Sequence, residues 1–305
     1  MRTLVIVNPR SRNGATGRRW HAVEGKLRDA LGALDVERTR GPGDAERIAR
    51  EGVRAGVERL VVAGGDGTLG EATTGLLAAD LGRYAELGLL PLGTGGDFAR
   101  TLAIPRDLDK AIACLSAGRL RKLDAGRVTR PASGAAPRYF ANVASFGISG
   151  LTVELVNRTT KALGGTVSFL IGALRSVARF RSRDVSIRVD GALVHEGPLL
   201  LAAVANGRYF GGGMCVAPEA RPDDGLFDVV AISEMSAPRV LVKLPTIYLG
   251  RHLGDAAVSL HRGRLVEAEA VPGTVPLELD GDALGSLPVR IELLPAALSV
   301  RVPSS

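Results

Sequence analysis

The segment with the most chemical promise is Gly64-Gly65-Asp66-Gly67-Thr68, which follows an apolar run and opens a helix-forming one. Glycine lets the backbone turn sharply and approach a ligand with no Cβ in the way. The exposed N–H groups at a helix start attract phosphate, and the Thr68 hydroxyl can bond a phosphate oxygen. Asp66 is out of place against a phosphate unless a cation stands between them, which points to Mg²⁺ held through oxygen ligands and water. Residues 92–100, LGTGGDFAR, repeat the plan with Gly93, the hydroxyl of Thr94 and the carboxylate of Asp97. Asp66 and Asp97 would then share a cation, while Arg100 would meet phosphate or pair with an acid. A third loop, residues 8–17 (NPRSRNGATG), supplies amides, hydroxyls and positive charge. It is not a Walker A loop, because no Gly-Lys-Ser/Thr closes it, and no Gly-x-Gly-x-x-Gly follows the first strand. Any one such loop is compatible with an ordinary glycine turn; three in register at strand ends indicate a phosphate ligand.

Loops of this kind need a scaffold of alternating strands and helices. The pattern predicts strands at residues 4–7, 36–39, 59–63 and 87–92, and helices at 18–31, 44–56, 69–81 and 107–117, with Asp44 as an N-cap. This order implies an open, largely parallel sheet that binds ligands at the carboxyl ends of its strands. After Leu123-Asp124 the character changes. Segments 138–145, 185–189, 199–205, 226–232, 277–279 and 289–293 read as strands separated by turn signals, with helices near 151–180 and 237–251. The expectation is an α/β chain: a nucleotide-binding α/β domain over residues 1–127, then a mostly antiparallel β domain over 128–295. The tail, about residues 296–305, is expected to return to the first domain. Asp280-Gly281 is also a favoured hairpin pair, so on its own it reads equally as a plain turn.

Bulk properties set the limits. The chain has 305 residues, 46% hydrophobic and 23% charged, enough for two cores. Aromatic residues make up only 4%, which disfavours stacking on nucleic-acid bases. The net charge of +7 suits a phosphorylated ligand or an anionic membrane surface, but its arginines are scattered. Cys114 and Cys215 are the only cysteines, which fits a reduced, cytoplasmic protein better than a disulfide scaffold. The histidines form no zinc-ligand spacing with them. No apolar run approaches the roughly 18 residues needed to span a bilayer, so membrane contact is expected to be peripheral.

With these residues in view, the chain resembles the diacylglycerol kinase catalytic family, in its bacterial lipid-kinase branch, over nearly its whole length. Asn8-Pro9 with its loop, Gly64 to Thr68, and Gly93-Thr94 through Asp97-Phe98-Ala99-Arg100 match the family's motifs in order. Asp124-Ala125-Gly126, Asn206-Gly207 with Gly211-Gly212-Gly213 and Ala217-Pro218, Pro222 to Asp228, and Leu279-Asp280-Gly281-Asp282 resemble its later signatures. GGDGT alone is shared with NAD kinases and, loosely, phosphofructokinases; the other matches separate them.

The resemblance implies a phosphofructokinase-like α/β domain and a β-sandwich domain, with ATP and a lipid, most simply diacylglycerol or a related lipid alcohol, meeting between them. It assigns Asn8, Pro9, Arg10, Ser11, Asn13, Gly14, Thr39, Gly64, Gly65, Asp66, Gly67, Thr68, Leu69, Gly70, Glu71, Gly93 and Thr94 to the nucleotide. It places Asp66, Asp97 and Asp124 in a catalytic Mg²⁺ network and makes Asp280 the proton acceptor, with Asp282 helping to hold metal or orient Asp280. It implies a second, structural Mg²⁺ at Asp224 and the carbonyls of Arg221 and Leu226. Three positions depart from the family: Gly70 and Gly96 replace asparagines, and Asp282 replaces a glutamate. These departures leave a non-catalytic nucleotide- or lipid-binding regulator as an alternative, beside an NAD kinase-like enzyme. For membrane contact, residues 166–180 (TVSFLIGALRSVARF), with Arg175 and Arg179 one turn apart, read equally as an interfacial amphipathic helix and as a core helix. Arg181 and Arg183 extend its positive end. A homodimer is left open.

Overall fold

The computed structural model describes residues 1–131, 134–149, 181–270 and 275–304. The chain forms two compact units, Met1–Asp124 with Pro295–Ser305, and Ala125–Leu294.

The first unit opens with β1 (Thr3–Val7), α1 (Ala15–Leu31), β2 (Leu34–Arg38), α2 (Asp44–Arg54) and β3 (Arg59–Gly64). It continues with α3 (Asp66–Leu77), β4 (Glu86–Pro91), α4 (Asp97–Thr101) and α5 (Leu108–Ala117). The strands are parallel in the order β2-β1-β3-β4, and the chain's last strand joins β4 through Ser299 and Val300. Successive residues of β1 point to opposite faces. Val5 and Val7 pack with Trp20, Leu27, Ala111 and Leu115 of α1 and α5. Leu4 faces α2, where a Cβ on Gly52 would lie 2.5 Å from its Cδ2. On that side α2 and α3 approach so closely that a Cβ on Gly75 would lie 2.2 Å from the Glu46 carbonyl oxygen. Helices therefore cover both faces, which is why the strands read as unbroken apolar runs. Each large side chain removed from water here contributes about 2 kcal/mol.

The helix starts refine the sequence reading, and α1 begins at Ala15 rather than near residue 18. α3 begins at Asp66, inside the glycine segment, because Gly65 is still extended and Asp66 places a carboxylate in the first turn. α2 is capped by Gly43 at φ 84° rather than by Asp44, whose carboxylate instead accepts the Arg40 N–H. α5 is capped by Asp107, whose carboxylate accepts the Lys110 N–H.

The chain enters the second unit within β5 (Arg119–Thr129) and continues through β6 (Arg138–Phe140), β7 (Val143–Gly147), β8 (Arg183–Val189) and β9 (Ala192–Ala205). A small hairpin, β10 (Tyr209–Phe210) and β11 (Met214–Cys215), precedes β12 (Phe227–Ser233) and α6 (Ala237–Tyr248). The unit closes with β13 (Val258–Gly263), β14 (Leu265–Ala270), β15 (Pro276–Leu279), β16 (Asp282–Ser286) and β17 (Val289–Val302), which leads back to the first unit. The pairing is antiparallel along β16-β15-β7-β9-β8-β14-β17, with β12 on β9 and β13 on β12. Alternation along β9 feeds two cores: Ala202 and Val204 join Phe140, Phe146 and Phe227, whereas Leu201 and Ala203 join Val230 and Val216. Phe140 and Phe227 stack at 5.7 Å.

Residues 138–145 do not form one strand. The run breaks at Ala141-Asn142, whose amides turn toward a side chain instead of a neighbouring strand. β13 and β14 were not anticipated, and β9 is twice its expected length. α6 buries no residue fully. Val240, Leu244, Ile247 and Tyr248 lean on the core, while Leu241, Val242 and Leu249 stay outside. The expected helix at 151–180, with Arg175 and Arg179, lies outside the described residues. Among the described residues no helix is long and apolar enough to cross a membrane.

Candidate active site

In the first unit the three glycine loops leave adjacent strand ends and are tied to one another. Asn8, after β1, donates its side-chain N–H to Thr68 Oγ1 at 3.0 Å. Its Oδ1 accepts the Arg10 N–H at 3.0 Å, and its backbone oxygen accepts Ser11 N–H at 3.1 Å. Gly93, after β4, donates its N–H to the Gly64 carbonyl at 2.9 Å, and Thr16 Oγ1 reaches the Leu92 carbonyl at 3.3 Å. The contact between the Gly64–Thr68 loop and the loop of residues 92–100 is backbone against backbone: a Cβ on Gly93 would lie 2.4 Å from the Gly65 Cα. Only glycine at 93 allows that approach. Arg12, Asn13 and Gly14 take successive positive φ values of 54°, 54° and 80°. Two of these are strained for residues with a Cβ, and such strain collects at ligand-binding turns.

Asp66 holds the loop of residues 92–100 in place. Its Oδ2 accepts the N–H of Gly96 at 2.6 Å and of Asp97 at 3.2 Å, and its Oδ1 accepts Phe98 N–H at 3.4 Å. A Cβ on Gly95 would strike that carboxylate at 2.3 Å. Gly96 sits at φ 83°, a conformation that glycine and, next best, asparagine adopt. Asp97 is buried in the first turn of α4, with Arg100 Nη1 at 3.9 Å from its Oδ1. Thr94 is exposed, and its carbonyl accepts the Arg106 guanidinium. A small cavity opens among Gly64, Gly65, Asp66, Pro91 and Gly96.

The other first-unit candidates divide by what their side chains do. Gly67, Thr68, Leu69 and Gly70 form the first turn of α3. Leu69 buries its side chain in the core, so only its backbone faces the loops' side. Glu71 points to α2, where its Oε2 accepts Ala45 N–H at 3.1 Å. Pro9 accepts the Gly17 N–H, Thr39 bonds the Val7 carbonyl, and Gly14 caps α1. Asp124 is buried, and its Oδ1 accepts the Ala296 N–H of the returning strand at 2.8 Å. Among the described residues no group of three acidic, histidine or cysteine side chains is close enough to hold a metal. Asp66 and Asp97 nonetheless offer hard oxygen ligands on adjoining backbone, and Mg²⁺ on a nucleotide needs only one or two carboxylates beside the phosphates. These two residues fit such an ion.

In the second unit Asp280 and Gly281 form the two-residue turn between β15 and β16, at φ 48° and 91°. Both central residues are left-handed, as a type I′ hairpin requires. The Asp280 carboxylate is turned inward and buried. Its oxygens accept the N–H groups of Ala141 at 3.0 Å, Asn142 at 3.2 Å and Val143 at 2.9 Å. Asn206 holds that amide cluster from behind, donating to the Ala141 carbonyl at 2.6 Å. Its N–H and that of Gly207 both reach the Asn142 carbonyl at 2.9 Å. The Asn206-Gly207 motif thus acts through the backbone that grips Asp280. Asp282 is exposed at the start of β16.

Sequence reasoning missed Glu278, one strand position before the turn. Its Oε2 accepts Gly281 N–H at 2.9 Å, and its Oε1 accepts the Ser145 hydroxyl. Burial pushes its carboxyl up to about 7; the Ser145 bond opposes this and the charge of Asp280 adds to it. The available signal was an acid between two leucines, Leu277 and Leu279, in a short strand.

The second metal position is occupied by a different partner. Asp224 Oδ1 accepts the Leu226 N–H at 3.1 Å and its Oδ2 accepts the Arg262 guanidinium, which also donates to Asp228 at 2.7 Å. The Arg221 carbonyl accepts Asp224 N–H at 3.4 Å. Arg262 supplies the positive charge there, so Arg221, Asp224 and Leu226 do not fit a further cation as they stand. Burial raises the Asp228 carboxyl above its usual range, against the pull of Arg262.

Comparison with known proteins bears on both units. Residues 2–128 match the model described as the diacylglycerol kinase catalytic domain, and residues 142–302 match the YegS C-terminal NAD kinase beta sandwich-like domain. A Salmonella arizonae protein named "Probable lipid kinase YegS" is 34% identical over 283 residues, 91% of this chain and 89% of that one. A Mycobacterium tuberculosis protein named diacylglycerol kinase is 31% identical over 304 residues, 99% of this chain and 95% of that one. In fold, the chain is similar to a crystal structure titled as a diacylglycerol kinase from Bacillus anthracis, with TM-score 0.73, 23% identity and 99% and 96% of the two chains covered. It is also similar to an NAD kinase from Archaeoglobus fulgidus in complex with ATP, with TM-score 0.52, 14% identity and 99% and 93% covered.

Proposed function

The chain belongs to the diacylglycerol kinase catalytic-domain family and is an ATP-dependent lipid kinase, and from that premise we propose that it phosphorylates the hydroxyl of diacylglycerol or a related lipid alcohol with Asp280 as proton acceptor. The observation that carries the nucleotide half is the linkage of three loops from adjacent strand ends, with Gly93 N–H on Gly64 and Asn8 on Thr68. Their amides and the start of α3 offer donors to a triphosphate, and preorganised donors are worth most where charge develops in the transition state. Asp66 and Asp97 would hold Mg²⁺, which supplies charge neutralisation on the phosphate oxygens when bound. Asp124 positions the returning strand through Ala296 N–H. No step is assigned to a second Mg²⁺, because Arg262 already occupies Asp224.

In this proposal the first unit holds the triphosphate and Asp280 of the second serves the acceptor hydroxyl. The acceptor hydroxyl attacks the γ-phosphorus as its O–H bond breaks, the proton passes to an Asp280 oxygen, and ADP leaves with the bridging electron pair. A carboxylate with a reference pKa of about 4 is a weak base, so it acts late, as the oxygen–phosphorus bond forms. The three amides on Asp280 fix its oxygens for that transfer.

A lipid acceptor implies peripheral contact with a bilayer. Support comes from the net charge of +7 and from the outward residues of α6: Leu241, Val242 and the following Leu249 are 45%, 74% and 65% exposed. Arg251 follows this apolar stripe, which suits an anionic lipid surface, while Arg239 at its start is paired with Asp255 at 2.8 Å. ATP consumption with detergent-dispersed diacylglycerol, set against NAD⁺ as acceptor, tests the assignment. Turnover with the lipid supports it; turnover with NAD⁺ alone overturns it.

A further inference from the structure

Glu278 is buried, 3% exposed, on the opposite side of β15 from Leu277 and Leu279. It sits in register with Ser145 of β7. The Ser145 hydroxyl donates to Glu278 Oε1, and the Ser145 and Ser149 hydroxyls lie 2.7 Å apart. With the Ser145 proton committed to Glu278, Ser149 is the donor in the second bond. Oε2 accepts the N–H of Gly281, the second residue of the turn that carries Asp280. The charged groups acting on Glu278 are Asp280, from the turn, and Asp282, from β16. From β7 and the segment just beyond it come the hydroxyls of Ser145 and Ser149, which do not titrate. A full charge at such a position is costly unless function keeps it there.

We propose that Glu278 is a positioning residue for Asp280: its carboxylate fixes the turn through Gly281 N–H, and its negative charge makes Asp280 a stronger proton acceptor. The inference rests on Asp280 being the base. Two carboxylates sharing a poorly solvated interior raise each other's affinity for a proton. Ionised Glu278 therefore favours movement of the acceptor's proton onto Asp280, and neutral Glu278 withdraws that help while leaving the turn in place. The near-neutral titration that burial gives Glu278 puts this change in the working range.

Glu278→Gln isolates the charge, because the amide oxygen can still accept Gly281 N–H and its NH₂ can donate to Ser145 Oγ. The measurement is kcat of wild type and Glu278→Gln from pH 5.5 to 9, at saturating Mg-ATP and dispersed diacylglycerol. The ratio of the two rates cancels the ionisation of ATP itself. It is expected to rise from near unity in acid to roughly 3- to 10-fold in alkali, with its midpoint near neutrality and KM for ATP unchanged. A ratio that stays flat across the range overturns the proposal, since a merely structural role lowers the rate at every pH. If the Gln variant does not fold, isotope-edited infrared spectra of the wild type decide: the protonated-carboxyl band that reports Glu278 must vanish over the interval in which the rate rises. Asp280→Asn runs alongside. Near-normal turnover there removes the base assignment itself, whereas an inactive Asp280→Asn with a flat ratio removes only the role of Glu278.

Discussion

Glu278→Gln should make the folded protein more stable at alkaline pH, and the size of the gain follows from the site. In the folded chain burial raises the Glu278 carboxyl from 4.5 to about 7. A group whose folded pKa lies above its unfolded value stabilises fully below the unfolded value and loses that contribution as pH climbs through the folded one. The window therefore opens near pH 4.5 and closes near 7, and its full height is the 2.5-unit difference between those two values. At 1.36 kcal/mol per unit this is about 3 kcal/mol. Glutamine cannot ionise, so it escapes the loss. The assay is urea unfolding of both proteins at pH 4.5, 6, 7 and 8, comparing midpoints at a shared slope. The stability advantage of Glu278→Gln should grow by about 3 kcal/mol from the first condition to the last, or roughly 6–12 °C in melting temperature for a unit of this size. An advantage that is constant with pH, or that shrinks as pH rises, would refute the claim that Glu278 is buried and partly neutral near neutrality. A variant that is more stable and yet slower is the expected trade at a site where charge is held for function.

Further outcomes follow from the geometry. Asp280→Asn should keep the fold and ATP binding and lose at least 100-fold in kcat, read by coupled ADP release. Gly93→Ala forces a Cβ to within 2.4 Å of the Gly65 Cα and should cost 1–3 kcal/mol or so in urea unfolding; Gly65→Ala meets nothing closer than 3.5 Å, so it should unfold like wild type while weakening ATP binding in calorimetry. Asp66→Ala removes the acceptor for Gly96, Asp97 and Phe98 N–H; it should cost about 1–2 kcal/mol and raise the Mg²⁺ concentration for half-maximal rate, and an unchanged Mg²⁺ curve would count against its proposed role. Val242→Glu on α6 should lower sedimentation with vesicles of phosphatidylcholine and phosphatidylglycerol while leaving turnover of a dispersed short-chain diacylglycerol intact; loss of both together would point to misfolding instead.

The first unit was legible because its signals are local. Short apolar runs mark the buried strands β1, β3 and β4, two of them leading into glycine, and the loops that follow them share an edge. What the pattern could not show is how the loops hold each other. Asp66 read as a metal ligand, yet its nearest partners are three backbone amides thirty residues away, a contact that no local periodicity encodes. Glu71 and Leu69 likewise belong to the matched motif, but one side chain caps α2 and the other fills the core. In the second unit the Asp-Gly turn was readable as a hairpin, and it is one. The amides that grip its carboxylate come from a break in a strand 140 residues earlier, so the inward-facing side chain was out of reach. β13 and β14 were missed because their mixed charge, HRG and VEAEA, hides alternation that is clear only once partners on both sides are known. Arg262, on β13, was overlooked for the same reason, and with it the ion pair at Asp224.

The central claim is that the glycine loops of the first unit bind the nucleotide and that Asp280 of the second takes the proton of the acceptor hydroxyl. A crystal structure of the protein with Mg²⁺, a non-hydrolysable ATP analogue and a short-chain diacylglycerol addresses it directly. The account predicts triphosphate oxygens on the amides around Gly65 to Thr68 and Gly93 to Gly96, with an Asp280 oxygen within hydrogen-bond reach of the lipid hydroxyl. A nucleotide bound elsewhere, or a lipid hydroxyl remote from Asp280 with the γ-phosphate in place, would contradict it.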